Sequence, residues 1–126
     1  MTYPTAAAVY RENSVLTASP EKIVKMLYDG AIKHMELCRV ALSDPQTSRT
    51  ATTGESLGKA FAIVSELRTA LDHKAGGEVA TKLDSLYEFT LDQLSKANIE
   101  RRAEPVAAGL KVMRTLKEGW DGVIPG

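Results

Sequence analysis

The chain has 126 residues and equal numbers of basic and acidic side chains, 16 of each. This length fits one domain, and the balanced charge argues against a dedicated nucleic-acid binder, which normally carries a concentrated basic excess. The single cysteine excludes an intrachain disulfide. The first residues lack the pattern of a secretory signal, and no apolar run approaches the roughly 20 residues that span a bilayer. We therefore expect a cytoplasmic protein that neither inserts into a membrane nor binds nucleic acid.

Apolar side chains are scattered through the N-terminal 18 residues, which include Tyr3, Val9, Tyr10, Val15 and Leu16. A helix in so short a stretch is marginal in water unless it packs on something. We predict that residues 1–18 form a mobile N-terminal segment, helical or extended, which packs on a bundle formed by residues 19–122.

The first long helix is predicted over Pro20–Leu42. Ser19 is a suitable N-cap, Pro20 fits the first helical position, and Glu21 meets the positive end of the helix dipole. One apolar face holds Val24, Leu27, Ala31, Met35, Cys38 and Leu42, and around it lie Ile23, Met26, Ile32 and Val40. A stripe this wide indicates a helix that is covered on two sides. The second side would be covered either by another core helix or by a docked partner helix.

Three more helices follow, and each has one apolar face. A loop is predicted over 43–54, because Pro45 and a run of threonines disfavour helix. The remaining helices are predicted over 55–74, 78–100 and 105–120, with Gly76 and Gly77 ending the first of these. Their faces hold Leu57, Ala60, Phe61, Val64, Leu67 and Leu71, then Val79, Leu83, Leu86, Tyr87, Thr90, Leu94 and Ala97, then Val106, Leu110, Met113, Leu116 and Trp120.

Four helices joined by short connections favour an all-α fold, an antiparallel four-helix bundle. We expect its core to run through Leu67, Leu86, Leu94 and Met113. The basic residues Lys111, Arg114 and Lys117 are expected to form a solvated surface of the last helix.

Candidate catalytic groups are few. His34 and Cys38 share a helix face, but Cys38 lies on the apolar stripe and no third group orients the pair, which favours a buried structural cysteine. Two histidines and one cysteine cannot furnish a Cys/His zinc site. A di-iron bundle needs Glu three residues before His, and Ala31 and Ala70 occupy those positions. We predict no cofactor, no metal and no enzymatic activity.

An alternative is a histidine phosphotransfer bundle, in which an exposed histidine in mid-helix would carry the phosphoryl group. His73 has Lys74 beside it but lies at a predicted helix end, and His34 has Leu37 and Cys38 one turn later rather than a small residue and a lysine.

Two motifs resemble the signature of the FliS family of flagellar export chaperones. The first is Thr17-Ala18-Ser19-Pro20-Glu21, and the second is Met26-Leu27-Tyr28-Asp29-Gly30-Ala31-Ile32. The resemblance continues through Tyr10, Asn13-Ser14-Val15, Glu66-Leu67, Leu71-Asp72, Leu86-Tyr87, Ala97-Asn98 and Trp120. It fits least well in the threonine-rich loop.

The resemblance implies a small helical bundle that binds the disordered C-terminal region of flagellin in the cytoplasm. Such a chaperone prevents premature polymerisation and helps deliver flagellin to the membrane export gate, and its N-terminal segment can cover the binding surface until cargo displaces it. The implied partner-binding residues are Tyr10, Val15, Leu27, Tyr28, Gly30 and Ile32. Ser19, Pro20 and Asp29 are expected to serve the helix cap and surface pairing instead.

Overall fold

The computed structural model describes residues 20–123. Predictions for the N-terminal segment, including Tyr10, Val15 and the Ser19 cap, lie outside the described residues. Within them the chain forms four helices and no strand: α1 (Pro20–Leu42), α2 (Ala51–Thr69), α3 (His73–Glu100) and α4 (Ala103–Val123). The predicted all-α helical bundle is confirmed.

The four helices form a ring around one core. Helix α1 packs against α2 and α4, and α3 packs against the same two helices, so that α1 lies diagonally opposite α3. Two ends of the bundle result. At one end lie the α1–α2 loop and the α3–α4 turn. At the other lie the start of α1, the α2–α3 corner and the end of α4.

Helix α1 has the predicted bounds, but α2 begins at Ala51 and ends at Thr69 rather than spanning 55–74. The early start has a local cause, because threonines that were predicted to lie in the loop form the helix cap. The Thr50 hydroxyl accepts a hydrogen bond from the backbone N–H of Thr53. Helix α4 likewise begins two residues before the predicted Pro105 and extends to Val123.

The prediction that Gly76 and Gly77 end α2 is wrong. Asp72 caps α3 by accepting hydrogen bonds from the backbone N–H groups of Lys74 and Ala75, so α3 begins at His73 instead of residue 78. Gly77 has φ of 51° and divides a first turn over 73–76 from the rest of the helix. Glycine adopts this left-handed conformation without steric cost, so the glycine pair marks a kink rather than an end.

The predicted core positions Leu67, Leu94 and Met113 are buried, but Leu86 is only half-buried. Helix α3 is rotated so that Tyr87, Leu91 and Leu94 fill the core, and Leu86 lies at its border. Two other predicted face positions are exposed, namely Val79 on α3 at 66% and Phe61 on α2 at 40%. The remaining core side chains include Ile23, Leu27, Tyr28, Ala31, Met35, Cys38, Leu42, Leu57, Ala60, Val64, Ala97, Val106 and Leu110.

Candidate partner-binding site

An apolar groove opens at the end of the bundle where α1 begins. Its volume is about 390 Å³, and every helix contributes to its wall. The larger lining side chains are Val24, Leu67, Leu71, Val79, Leu83, Tyr87 and Trp120. We call this cavity the end groove. An open apolar cleft formed by several helices is the kind of surface that receives the apolar face of a partner segment.

A cluster of three aromatic residues adjoins the end groove. The Tyr28 and Tyr87 hydroxyls are hydrogen-bonded to each other, and the ring centroids of Tyr28 lie 6.3 Å from those of both Tyr87 and Trp120 in tilted arrangements. Burial raises the pKa of both tyrosines, so both hydroxyls stay neutral at physiological pH. Tyr28 and Tyr87 are buried, whereas Trp120 is half-exposed in the groove wall.

The predicted partner-binding residues on α1 do not share one exposed surface. Leu27 and Tyr28 are buried, at 5% and 0% exposure. Gly30 faces α2, where Ile63 Cδ1 lies 3.4 Å from the position of an added Cβ atom. Ile32 is half-buried beside α4. In this conformation Leu27 and Tyr28 offer no surface to a partner, so their direct contact with cargo stays a prediction that requires α1 or its cover to move.

Helix α1 does carry apolar residues on its outer side. Met26, Leu37 and Val40 are 42%, 52% and 57% exposed, and their spacing of eleven and three residues places them on one side of the helix together with Lys33. We call these four residues the α1 outer stripe. The wide apolar pattern predicted from the sequence therefore divides into a core face against the bundle and an outer face that no helix of the described residues covers.

Ion pairs fix α1 against α4. The Lys117 ammonium lies 3.2 Å from an Asp29 carboxylate oxygen and 3.3 Å from one of Asp121, and Arg114 lies 2.9 Å from Glu36. These contacts hold the pKa of Asp121 below its usual range and raise that of Lys117. Asp29 thus has the expected pairing role. Arg114 and Lys117, which were predicted to lie on a solvated basic surface of α4, form ion pairs with α1.

The candidate catalytic groups are not arranged for chemistry. Cys38 is wholly buried, and desolvation raises the pKa of its thiol to about 11. His34 has its Nδ1 atom buried without a hydrogen-bond partner, and its pKa is lowered by desolvation and by Lys59 and Lys33. His73 is exposed at the first residue of α3. Nothing in this arrangement favours phosphotransfer.

Residues 20–123 contain no group of three or more His, Cys, Asp or Glu side chains that could hold a metal ion. None of the four helices combines the length and the apolar character needed to cross a membrane.

The sequence did not identify the groove as a site, although several of its residues had been placed on predicted helix faces. Leu71, Val79 and Trp120 were assigned to the core, yet they line an open cleft. The sequence from Asp72 to Gly77 could have indicated the groove, because it combines a helix cap with a kink and so marks a corner of the fold.

Comparisons with known proteins agree on one family. Residues 2–126 match the sequence profile of the family described as flagellar protein FliS. The chain is 34% identical to the flagellar secretion chaperone FliS of Vibrio cholerae over 114 residues, which is 90% of this chain and 82% of the relative. It is 32% identical to that of Salmonella typhimurium over 120 residues, 94% and 87% of the two chains. The Bacillus subtilis chaperone of the same name is 28% identical over 91% of this chain and 83% of its own length.

Proposed function

Because the chain belongs to the FliS family of flagellar proteins, we propose that its cargo is flagellin, bound through the disordered C-terminal region. Membership of the family makes the chain a flagellar export chaperone, whose partner is a secreted flagellar protein. The more specific proposal is that it acts in the cytoplasm, prevents premature polymerisation of flagellin, and presents the loaded complex to the membrane export gate.

The observation that carries the proposal is the end groove. A filament subunit needs a substitute for the apolar contacts that its termini make only after assembly, and an apolar cleft lined by four helices supplies such contacts. The groove has little polar surface of its own, so it would accept apolar side chains with few geometric demands. This suits a cargo segment that folds only when it binds.

The α1 outer stripe would provide a second contact for a cargo segment that continues around the bundle. Met26, Leu37 and Val40 cover about four turns of α1, roughly 20 Å of helix. Ordering a disordered segment commonly costs about 2–5 kcal/mol of the interaction energy. That cost keeps binding over a large area reversible, and release is what export requires.

We test the groove with the only tryptophan of the chain, Trp120, which lies in its wall. Titration with a peptide from the C-terminal region of the cognate flagellin should shift the Trp120 emission and increase helicity in circular dichroism. A clearly negative heat-capacity change in calorimetry should accompany the burial of apolar surface.

Two exposed positions on α3 give a matched pair of variants. Val79→Asp places a charge in the groove and should weaken binding about tenfold or more. Ile99→Asp places the same charge at a position that is 80% exposed and does not line the groove, and it should bind like the wild type. Absence of binding at high micromolar peptide, with a folded chain, would remove flagellin as cargo. Equal affinity of both variants would move the site elsewhere.

We further propose that residues 1–18 pack on the bundle as an intramolecular competitor of cargo, close to Tyr28 and Ile32. Helix α1 starts one turn before Val24 of the end groove, so the segment is joined to the bundle at this end. If the segment covers the site for 90% of the time, the apparent affinity for cargo falls about tenfold.

A chain that starts at Thr17 separates two roles of the segment. Tighter peptide binding would support competition, and weaker binding would support direct contacts of Tyr10 or Val15 with cargo. If affinity, association rate and dye binding to apolar surface are all unchanged, the segment has neither role.

A further inference from the structure

Helices α3 and α4 expose a second apolar surface along their common border, which lies opposite the α1–α2 border in the ring of helices. Gly109 of α4 lies between α1 and α3: the position of an added Cβ is 3.0 Å from Met35 Cε of α1, and 3.3 and 3.9 Å from the methyl group of Thr90 and the Cβ atom of Gln93 on α3. Close to this contact, Phe89 is 41% exposed, and Leu86, Val112 and Leu116 are half-buried. We call these four residues the α3–α4 strip.

Most of the strip lies outside the bundle core, and of its four residues Leu116 packs against the core. Leu86 and Val112 are half-buried without being packed against the core cluster. They bury part of their surface at the border between the helices and leave the rest open to solvent. An apolar side chain in this position gains contact area when a further helix lies along the border.

Lysines surround the strip. Lys82 and Lys96 precede and follow Leu86 and Phe89 on the same face of α3, at helical spacings of four and seven residues. Lys111 adjoins Val112 on α4. All three are exposed, and none forms an ion pair with a described residue, in contrast to Lys25 and Lys117 on the α1–α4 border.

Two acidic residues lie beside the middle of the strip, on the side of α3 that faces α2: Glu88 is paired with Arg68 of α2, and the charge of Asp92 acts on the same guanidinium. The other acidic residues lie at the ends of the strip. Glu100 and Glu104 are both paired with Arg102 at the α3–α4 turn, and Glu78 lies one turn before Lys82. The strip is therefore apolar along its length and carries lysines that pair with no described residue, whereas the acidic side chains beside it are engaged by Arg68 and Arg102. This is the reverse of what an acidic amphipathic helix presents.

We propose that the α3–α4 strip binds an acidic amphipathic helix of a second partner protein. Its apolar side chains would lie on Phe89, Leu86 and Val112, and its carboxylates would face Lys82, Lys96 and Lys111. The distance from Lys82 to Lys96 along α3 is about 21 Å, which matches about 14 residues, or four turns, of a bound helix. Because the strip is distinct from the end groove, the chaperone would hold this partner while it carries cargo.

The test uses the full chain and a fluorescein-labelled amphipathic peptide with a leucine face and glutamates elsewhere. A reference peptide has lysine in place of each glutamate. In anisotropy titrations the acidic peptide should bind, the basic peptide should not, and the affinity should fall when salt rises from about 0.1 to about 0.5 M, because screening shortens the reach of the lysines.

Two strip variants should lower the affinity for the acidic peptide by about tenfold or more. Phe89→Asp removes the exposed ring, and the triple variant Lys82→Glu, Lys96→Glu, Lys111→Glu reverses the flanking charge. The controls lie on α2: Phe61→Asp removes a ring that is 40% exposed, and Lys59→Glu reverses an exposed charge, and both should bind like the wild type. Thermal melts of each variant show whether it is folded.

Several results would overturn the proposal. Equal binding of both peptides would leave no role for charge, and wild-type affinity of folded Phe89→Asp would exclude the strip. Loss of acidic-peptide binding in folded Val24→Asp, whose side chain lines the end groove on α1, or its displacement by the flagellin peptide, would place the probe in the cargo site instead. A dimer in sedimentation that Phe89→Asp dissociates would identify a second copy of the chain as the occupant.

Discussion

The two ends of the bundle are built in opposite ways. At the end that holds the α1–α2 loop, Arg101 donates hydrogen bonds from Nη1 to the carbonyl oxygens of Thr50 and Ser48, at 3.1 and 3.4 Å, and from Nε to that of Asn98. The Thr47 hydroxyl donates to the carbonyl oxygen of Ala41 in the last turn of α1, and the Thr53 hydroxyl donates to that of Thr47 in the loop. We call this the clasped end. The opposite, open end has the apolar end groove, a kink at Gly77 and a half-exposed tryptophan.

This difference shows how a small bundle combines a fixed scaffold with an adaptable surface. Hydrogen bonds have strict geometry, so the clasped end has one arrangement, and its buried carbonyls would be left unsatisfied by any other. Apolar contacts have no direction, so the open end can accept different side chains at small cost. The chain places its directional interactions where the fold must be held and its non-directional ones where a partner would bind.

The largest expected difference between scaffold and groove concerns leucine truncation. Leu94→Ala removes a side chain that is 1% exposed and should lower the free energy of unfolding by about 2–5 kcal/mol. Leu71→Ala, in the groove wall, should cost about 1 kcal/mol, because its side chain is already half-exposed. Urea melts of both variants measure this, and equal losses would mean that the groove is as tightly packed as the core.

At the clasped end, Arg101→Ala should destabilise the chain by about 1–3 kcal/mol, because it removes charge-assisted hydrogen bonds to the loop carbonyls. Arg101 also has φ of 52°, which costs alanine about 1–2 kcal/mol and glycine almost nothing. Arg101→Gly should therefore be less damaging than Arg101→Ala. If both variants melt like the wild type, Arg101 does not hold the two connections together.

The kink at the open end is expected to depend on a single glycine. Gly77→Ala should cost about 1–2 kcal/mol, since φ is 51° although the added methyl group would meet no atom within 4 Å. The control Gly58→Ala lies in regular helix with the same open space, so it should stabilise the chain by about 0.5–1 kcal/mol. Chemical denaturation distinguishes the two, and a stabilised Gly77→Ala variant would show that the kink straightens at no cost.

The smallest expected effect is a pH dependence at His34. Its Nδ1 atom is buried and unpaired between α1 and α2, with Lys33 and Lys59 as the nearby charges, and its pKa is lowered from 6.5. The unfolded chain therefore binds this proton more readily, so stability falls as pH decreases below about 6.5 until the folded histidine also titrates. His34→Gln should lose less stability than the wild type over this range. Identical profiles would exclude His34 as the cause.

Most of the fold could be predicted because its signals are local and repeated. The bounds of α1 follow from Pro20 at its start and a regular apolar spacing, and the faces containing Leu57, Leu94 and Met113 are set by helical period alone. The errors arose where a signal has two meanings. Threonines 50 and 53 disfavour helix interiors but make good caps, and glycine at residue 77 ends one helix or kinks another, depending on which residue supplies the next cap.

The candidate site was less predictable, because exposure depends on how the helices rotate against one another. Tyr28 was expected to contact a partner, and the structure buries it against Tyr87 of another helix. Val79 was expected in the core, and it lines an open groove. Successive residues lie about 100° apart around a helix, so rotating the helix by this angle exchanges a core position for a surface one. Nothing in the local sequence sets the rotation of the helix to within one residue.

The sequence by itself determined the helical class, the four segments and the family, since propensity, capping and motif spacing are properties of neighbouring residues. Only the tertiary structure decided which apolar residues stay open. The end groove joins residues from Val24 to Trp120, and the α3–α4 strip joins Phe89 of one helix to Val112 of the next. Such surfaces are formed by the packing of distant segments, where side-chain volume and helix register, rather than local preference, fix what remains exposed.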